Sequence, residues 1–400
     1  MNHEKIRTDL VDYGDKLFFN SAGASLMPRS VTEKITKYLH REEQLGGYTV
    51  AEQQAEEIAD FYQQAAKLIG CSTRNIAFAH SASSAFMQAL SSIPLYAKDV
   101  IVTSEVDYTS NFLQFLSLHK KRGVVYKIIK SLPNGDLDIE HFRQLIEQYP
   151  VKLVAITHIP TNSGMVQDVA TIGEICAAEN LIFLLDSCQS IGQMDVNLKN
   201  IKCDFLTATG RKFLRGPRGT GFLYVSDRIL DKGYAPLLLD GGNATWTGNE
   251  SYELVDSAER FGNWEKPYAM LTGLTEALRY LNEIGIQKVE ERSNLIMKQL
   301  RNNLSAMSSV TCYDLGTKTS NILTFRKEGK TIEDIQDCFS KNRVYYGVSQ
   351  KQQGQIDFNK KGVDWVVRLS PHYFNTEEEI NQISEIIETC LLYTSPSPRD

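Results

Sequence analysis

Two side chains stand out by type and setting. Asp186 closes the apolar run LIFLLD (181–186), and Lys212 stands in the glycine-rich stretch GRKFLRGPRGTG (210–221). A carboxylate behind five apolar residues is at least partly desolvated and needs a cation or hydrogen-bond donors beside it. Gly210, Gly216, Gly219 and Gly221 let the backbone fold tightly around the lysine and come close to a ligand. An amine held in a pocket near Arg211, Arg215 and Arg218 is destabilised as a cation, which prepares it to attack a carbonyl carbon. Taken singly, the acid suits a helix N-cap and the lysine a solvated surface. Their positions in the chain give the pair its meaning.

From residue 75 onward, short apolar runs alternate with helical stretches. The strands expected are IAFAH (76–80), DVIVTS (99–104), VVYKII (124–129), KLVAITH (152–158), LIFLLD (181–186), DFLTAT (204–209) and GFLYV (221–225). Near-continuous apolar strands separated by helices imply a mostly parallel sheet covered on both faces. Ligands of such sheets bind beyond the carboxyl ends of the strands. Those ends read HSASSA, SEVDYTSN, THIPTNSG, DSCQS and TGRKFLRGPRGTG, rich in small hydroxyl residues around one acid and one lysine. Two amphipathic helices are expected before the sheet, over 31–45 and 50–68. The stretch DGGNATWTGNE past residue 240 reads as loop. Helices over 269–284 and 288–307 then lead into a smaller α+β unit with strands SNILTF, RVYYGV and WVVRLS and a last helix begun by TEEEI. The domains expected are 15–268, the larger, and 269–391 joined by 1–14, the smaller. Residues 392–400, which contain the Ser/Pro-rich end YTSPSPRD (393–400), read as a disordered or foreign tail.

An acid on one strand end and a lysine on a later one is what pyridoxal 5′-phosphate requires. The lysine forms an imine with the cofactor's aldehyde, and the acid keeps the pyridine nitrogen protonated so that the ring accepts electrons from carbon. Small hydroxyls and backbone amides at a helix start suit its phosphate. Composition narrows the alternatives. With 43 basic and 49 acidic residues the formal charge is −6, the wrong sign for a nucleic-acid partner. No apolar run reaches the roughly 18 residues that span a bilayer, and the polar start MNHEKIRTDLVDYGDK lacks a signal-peptide core, so a cytoplasmic protein is expected. Seven cysteines without a close C-x-x-C pair read as reduced thiols, and no metal site is expected. A nucleotide-binding G-x-G-x-x-G after the first strand is missing, which weighs against a dehydrogenase.

On these motifs the chain resembles the class V aminotransferase and cysteine desulfurase superfamily, the fold-type-I pyridoxal-phosphate enzymes, from about residue 18 to 387. The combination of D-S-x-Q (186–189) with T-x-x-K-x-x-x-G-P-x-G-x-G (209–221) carries the resemblance. It implies that Lys212 is the cofactor-bound lysine and Asp186 the partner of the ring nitrogen. Gln189 would bond the phenolic oxygen or the lysine, and Tyr108 would stack on the ring. Ala82, Ser83, Thr209 and Arg211 would hold the phosphate. Thr161 or its neighbour Asn162 would stand near the phenolic oxygen. Arg368 would bind the substrate carboxylate. Family members form homodimers, and the loop GNWEKP (262–267) lies where relatives reach the neighbouring subunit's phosphate, although the usual small hydroxyl is not evident here. His158 and His372 read as structural histidines.

The resemblance also shapes the expected reaction. Desulfurases of the superfamily take up sulfur on a mobile-loop cysteine. The matching stretch YYGVSQKQQGQ (345–355) has none, while Cys338 and Cys188 lie elsewhere. The stretches FFNSAGASLMP (18–28), EEQLGGYTVAE (42–52) and THIPTNSG look more like the branch that contains hercynylcysteine sulfoxide lyase and isopenicillin N epimerase, with Asn20 and Tyr48 at the substrate mouth. The expectation is a C–S β-elimination lyase acting on a small-molecule amino-acid substrate. An aminotransferase or an epimerase would share its first step, and a non-catalytic scaffold of the same fold is the competing class.

Overall fold

The computed structural model describes residues 1–11 and 13–389. The expected tail, 392–400, lies outside them. Fifteen strands follow in chain order. They are β1 (Leu17–Phe18), β2 (Ile76–Ala79), β3 (Val100–Ser104), β4 (Val125–Ile129), β5 (Val151–Thr157), β6 (Ile182–Asp186), β7 (Phe205–Thr209), β8 (Gly221–Val225), β9 (Ala244–Gly248), β10 (Ser251–Leu254), β11 (Val310–Cys312), β12 (Leu323–Lys327), β13 (Val344–Tyr345), β14 (Gly347–Gln350) and β15 (Trp365–Leu369).

β2 to β8 form one seven-stranded sheet in the order β2-β8-β7-β6-β5-β3-β4. Neighbours from β7 to β4 run parallel, while β8 is antiparallel to both β7 and β2. The apolar side chains of the central strands are buried on both faces, as their unbroken hydrophobicity requires. Helices Ala55–Ile69, Val169–Ala178 and Tyr268–Ile284 cover one face, and helices Ala82–Ser92 and Thr109–Arg122 cover the other. Helix Tyr268–Ile284 packs on helices Arg29–Leu45 and Ala55–Ile69, so it shares the core of the large sheet. The chain visits β3, then β4 at the edge, then returns past β3 to β5. That reversal opens a crevice between the carboxyl ends of β3 and β5.

A second, antiparallel sheet in the order β11-β12-β15-β14 packs with helices Ile286–Ser305, Ile332–Lys341 and Glu377–Thr389 around a separate core that includes Leu300, Phe325, Phe339 and Ile383. The N-terminal segment ties the two units together. β1 pairs in parallel with β13, and Asn20 bridges to Ser370 just past β15.

One stretch read as loop is regular. Residues of β9 and β10 form an antiparallel hairpin with a register shift at Ser251/Tyr252, and both strands are largely exposed. Trp246 and Tyr252 favour extended backbone, while the alternation that would reveal a half-buried strand is missing because neither face of this hairpin is covered in the monomer.

Gly221 shows how closely the strands near the lysine are packed. It stands opposite Thr209, and a Cβ there would lie 2.2 Å from the carbonyl oxygen of Ala208. Replacing Gly221 by Ala is expected to destabilise the protein by about 1–3 kcal/mol, measured as a lower urea midpoint at unchanged slope.

Candidate active site

The carboxyl ends of β3, β5, β6 and β7 meet at one cavity together with the start of helix Ala82–Ser92. Lys212, 7% exposed, stands in its wall three residues past the end of β7. Beside it Asp186, 4% exposed, ends β6. The strand register explains their proximity, since Asp186 pairs with Thr207 of β7 on one side and with Thr157 of β5 on the other. Two donors hold the carboxylate. The backbone N–H of Cys188 reaches Oδ1 at 2.9 Å, and Nδ2 of Asn111 reaches Oδ2 at 3.1 Å. Burial pushes the Asp186 carboxyl up, against the opposing pull of the Cys188 N–H, the charge of Lys212 and the Asn111 amide. The acid therefore answers to Lys212 and to N–H donors, with no arginine bound to it.

The other expected cofactor residues converge on the same cavity. Tyr108, Thr161, Gln189, Thr209 and Arg211 line it. So do Ala82 and Ser83 at the first turn of helix Ala82–Ser92. The capping box of that helix uses the N–H groups of Ser81 and Ser84 (3.0 Å each) and leaves those of Ala82 and Ser83 for a ligand, at the positive end of the helix. Between Thr161 and Asn162 the geometry distinguishes clearly. Thr161 faces the cavity, where its Oγ1 accepts from Nε2 of Gln189 at 3.0 Å and from Nη1 of Arg368 at 2.7 Å. Asn162 turns away and donates to the carbonyl of Gln353 at 2.9 Å. Oε1 of Gln189 is buried without a hydrogen-bond partner, although the residue is only 2% exposed. An unsatisfied buried acceptor in the cavity wall is a place for a ligand's donor. A lysine, an acid held by N–H donors, an open helix N-terminus and that spare amide oxygen together fit pyridoxal phosphate.

Arg368 reaches the rim from β15. Its Nη1 bonds Thr161, and its Nη2 lies 3.4 Å from Oδ1 of Asn20. Gly347 makes room for it, because a Cβ at that glycine would stand 2.9 Å from Nη2. Burial and the neighbouring Arg211 hold the guanidinium down to about 10, and no carboxylate is bound to it. A desolvated cation without a counter-ion is costly and favours an anionic ligand.

Three expectations need correction. Tyr48 lies outside the cavity of its own chain and is 90% exposed, because the glycines at 46 and 47 break the helix and start a short new one, Gly47–Gln53. Of the three arginines read as neighbours of Lys212, only Arg211 lines the cavity. Arg215, in a left-handed conformation (φ 59°), turns inward to bond the Leu26 carbonyl and the Tyr373 hydroxyl, and Arg218 is exposed. Sequence reading also passed over residues that line or support the site, namely Ser81, Cys188, Asn111, Thr157 and Asp107. The i, i+4 pair Asp107–Asn111 at a helix start was the available signal, but it resembles an ordinary helix cap.

His158 and His372 are structural in this fold. The ring of His372 donates from Nε2 to the carbonyl of Phe213 at 2.8 Å, and burial holds it down to about 3, with Arg215 adding to the effect. His158 is held down to about 4 by burial and Lys318.

Three comparisons with known proteins bear on the family and the fold. A family model described as aminotransferase class-V matches residues 17–383. A probable cysteine desulfurase of Methanothermobacter thermautotrophicus is 27% identical over 396 residues, covering 97% of this chain and 98% of that protein. The apo structure of a cysteine desulfurase from Thermococcus onnurineus NA1 superposes with a TM-score of 0.88 at 25% identity, covering 96% and 97% of the two chains. The fold is shared as well by a C-DES mutant with glycine covalently linked to its PLP cofactor (TM-score 0.85, 18% identity, 96% and 99% coverage).

The neutral state of His372 has a measurable consequence. An unfolded imidazole takes up its proton below about 6.5, while the folded one refuses it until about 3, so the native state loses stability as pH falls through that interval. His372→Gln keeps an N–H for the Phe213 carbonyl and removes this titration. Between pH 7 and pH 5 the wild type is expected to lose about 2 kcal/mol more unfolding free energy than the variant in urea titrations, and parallel profiles would contradict the assignment.

Proposed function

The chain belongs to the class V aminotransferase family, and we propose that it is a pyridoxal-phosphate-dependent C–S lyase that eliminates a sulfur group from the β-carbon of an amino acid. The observation that carries this reading is the cavity that gathers Lys212 and the open helix N-terminus, with Asp186 held just behind its wall by Asn111 and Cys188 and an arginine with no carboxylate of its own nearby. When bound, pyridoxal phosphate supplies an electron sink that stabilises negative charge at the substrate's Cα.

The chain's own residues do the rest. Arg368 takes the α-carboxylate in its guanidinium fork, and its bonds to Thr161 and Asn20 fix the direction of that fork. Lys212 removes the Cα proton at its Nζ. Asp186, surrounded by N–H donors, holds a proton on a ring nitrogen. The Cβ–S bond then breaks with its electron pair leaving on sulfur, and hydrolysis of the remaining enamine releases pyruvate and ammonia. Tyr108, Thr209 and Arg211 position the cofactor around these steps. Lys212 and Asp186 are the catalytic pair of this reading.

We further infer a homodimer. Trp246, Tyr252, Leu238 and Trp264 are all more than half exposed around the hairpin β9–β10, and an apolar surface of that kind is commonly covered by another chain. Among the described residues no helix is long and apolar enough to cross a membrane, which fits the cytoplasmic protein we infer.

The test is incubation of the holoenzyme with cysteine and cysteine-derived sulfoxides. Pyruvate and ammonia are expected without an added keto acid, and turnover that requires a keto acid would replace the lyase by an aminotransferase. Lys212→Ala is expected to abolish both turnover and an absorbance band at about 410–420 nm.

A second reading, cysteine desulfurase, is favoured by one feature. The Cys188 thiol lines the cavity and interacts with Lys212. As a sulfur acceptor it would form an S–S bond to the substrate's sulfur while the Cβ–S pair stays on carbon, leaving alanine. Burial raises the Cys188 thiol and so disfavours the thiolate that this step needs. Cys188→Ala is therefore expected to keep its pyruvate-forming activity within about threefold, whereas alanine as the wild-type product, lost in the variant, would establish the desulfurase.

A further inference from the structure

Behind the cavity lies a second acid. Asp107, 3% exposed, sits between β3 and helix Thr109–Arg122. Its Oδ1 accepts from the backbone N–H of Tyr108 at 2.6 Å, from Nδ2 of Asn111 at 3.0 Å and from the hydroxyl of Thr157. Its Oδ2 accepts from the hydroxyl of Thr103. The Asn111 amide thus spans two carboxylates with one nitrogen, 3.0 Å from Asp107 and 3.1 Å from Asp186.

Asp107 does not itself line the cavity, yet it holds residues of its wall, Tyr108, Asn111 and Thr157. An amide NH₂ has two hydrogens, and each carboxylate claims one. Were the amide reversed, its oxygen would face both acids. Asp107 therefore dictates that Asn111 presents a donor to Asp186. The same oxygen that anchors Asn111 anchors the backbone of Tyr108, which also lines the cavity. We propose that Asp107 is a positioning residue, which through Asn111 aims the Asp186 carboxylate at the cofactor's ring nitrogen and through the Tyr108 N–H sets the ring that covers it. This inference rests on the pyridoxal-phosphate reading of the site and adds a residue that does not touch the cofactor.

The charged group facing Asp107 is Asp186. Its remaining partners, Thr103 on β3, Thr157 on β5 and Asn111 on the helix, are neutral. Burial, with a further push from Asp186, raises the Asp107 carboxyl to about 6 against the opposing pull of the Thr103, Thr157 and Asn111 side chains.

The experiment uses the holoenzyme and three variants. Asp107→Asn keeps the size of the side chain and an oxygen for the Tyr108 N–H while removing the charge. Asn111→Ala cuts the link and leaves Asp107 in place, and the third variant combines the two. Each is followed by the cofactor's visible absorbance across pH, by its visible circular dichroism, and by cofactor affinity from equilibrium dialysis. Both single variants are expected to lower the pH of the cofactor's spectral transition by about one unit, to weaken cofactor binding about tenfold and to reduce the dichroic band. The double variant is expected to be no worse than Asn111→Ala, because the two act in series. Additive effects, or an Asp107→Asn holoenzyme with the wild-type transition and dichroism, would overturn the proposal. A wild type that binds no pyridoxal phosphate would instead overturn the reading of the site, so the two failures are distinguishable.

Discussion

An acid buried in a protein interior survives as an anion only when donors or cations surround it, and in this molecule that constraint falls on Asp186. Its two oxygens are met by a backbone N–H from its own turn and by an amide from a different strand–helix junction. Neither donor is a full charge, so no arginine is spent on Asp186, and Lys212 and Arg211 line the cavity where a ligand would lie. Had an arginine paired with Asp186, the acid would be quenched and the cavity would hold a salt bridge in place of a cofactor. The parallel register of β5, β6 and β7 is what puts Asp186 beside Thr157 and Thr207, and through Thr157 beside Asp107. The sheet is thus the instrument that sets the electrostatics of the site.

The same logic accounts for the glycine-rich turn after β7. Lys212 must leave the strand and fold back over the cavity, and the turn closes on itself through Gly216 N–H to the Gly210 carbonyl and Arg215 N–H to the Lys212 carbonyl. Side chains at Gly210 and Gly216 would strike Thr220 Oγ1 and Leu274. Arg215, forced into a left-handed conformation, carries its guanidinium into the core against Tyr373 and Phe374 and bonds Tyr373. What looks in the sequence like a cluster of cations around a lysine is therefore one cation at the site and one structural pin that locks the turn to the smaller unit.

This difference marks how far the sequence could be read. The placement of Asp186 and Lys212 was legible because each belongs to a local pattern, an apolar strand ending in an acid or a lysine among glycines, and local patterns survive without knowledge of the fold, whereas Gln189 and Thr209 came from the family resemblance. The parallel sheet followed from the unbroken apolar strands for the same reason. Asp107 and Asn111 were hidden because their function comes from a neighbour 75 residues away along the chain, and an acid followed four residues later by an amide looks like any helix start. The exposed hairpin β9–β10 escaped notice because its strands lack a buried face and so lack the alternation that gives strands away. Tyr48 misled in the opposite way. It had a suggestive neighbourhood in sequence, but a glycine pair redirects the helix and points it to solvent.

The rim of the cavity bears on which chemistry the site favours. The segment that in the desulfurases of this superfamily would carry a mobile cysteine is here short regular structure, β14, a single tight turn over Lys351–Gln353 and helix Gln355–Lys361. Its Gln353 carbonyl is held twice, by Nδ2 of Asn162 and by the hydroxyl of Thr109, the residues that follow Thr161 and Tyr108 of the cavity wall. Gly354 packs so closely on Asn162 that a Cβ there would lie 2.5 Å from its Nδ2. The strap is fastened at both walls and carries no thiol of its own. In the lyase we propose, a sulfur group released at Cβ leaves by diffusion, and elimination to a keto acid and ammonia asks no sulfur acceptor of this strap.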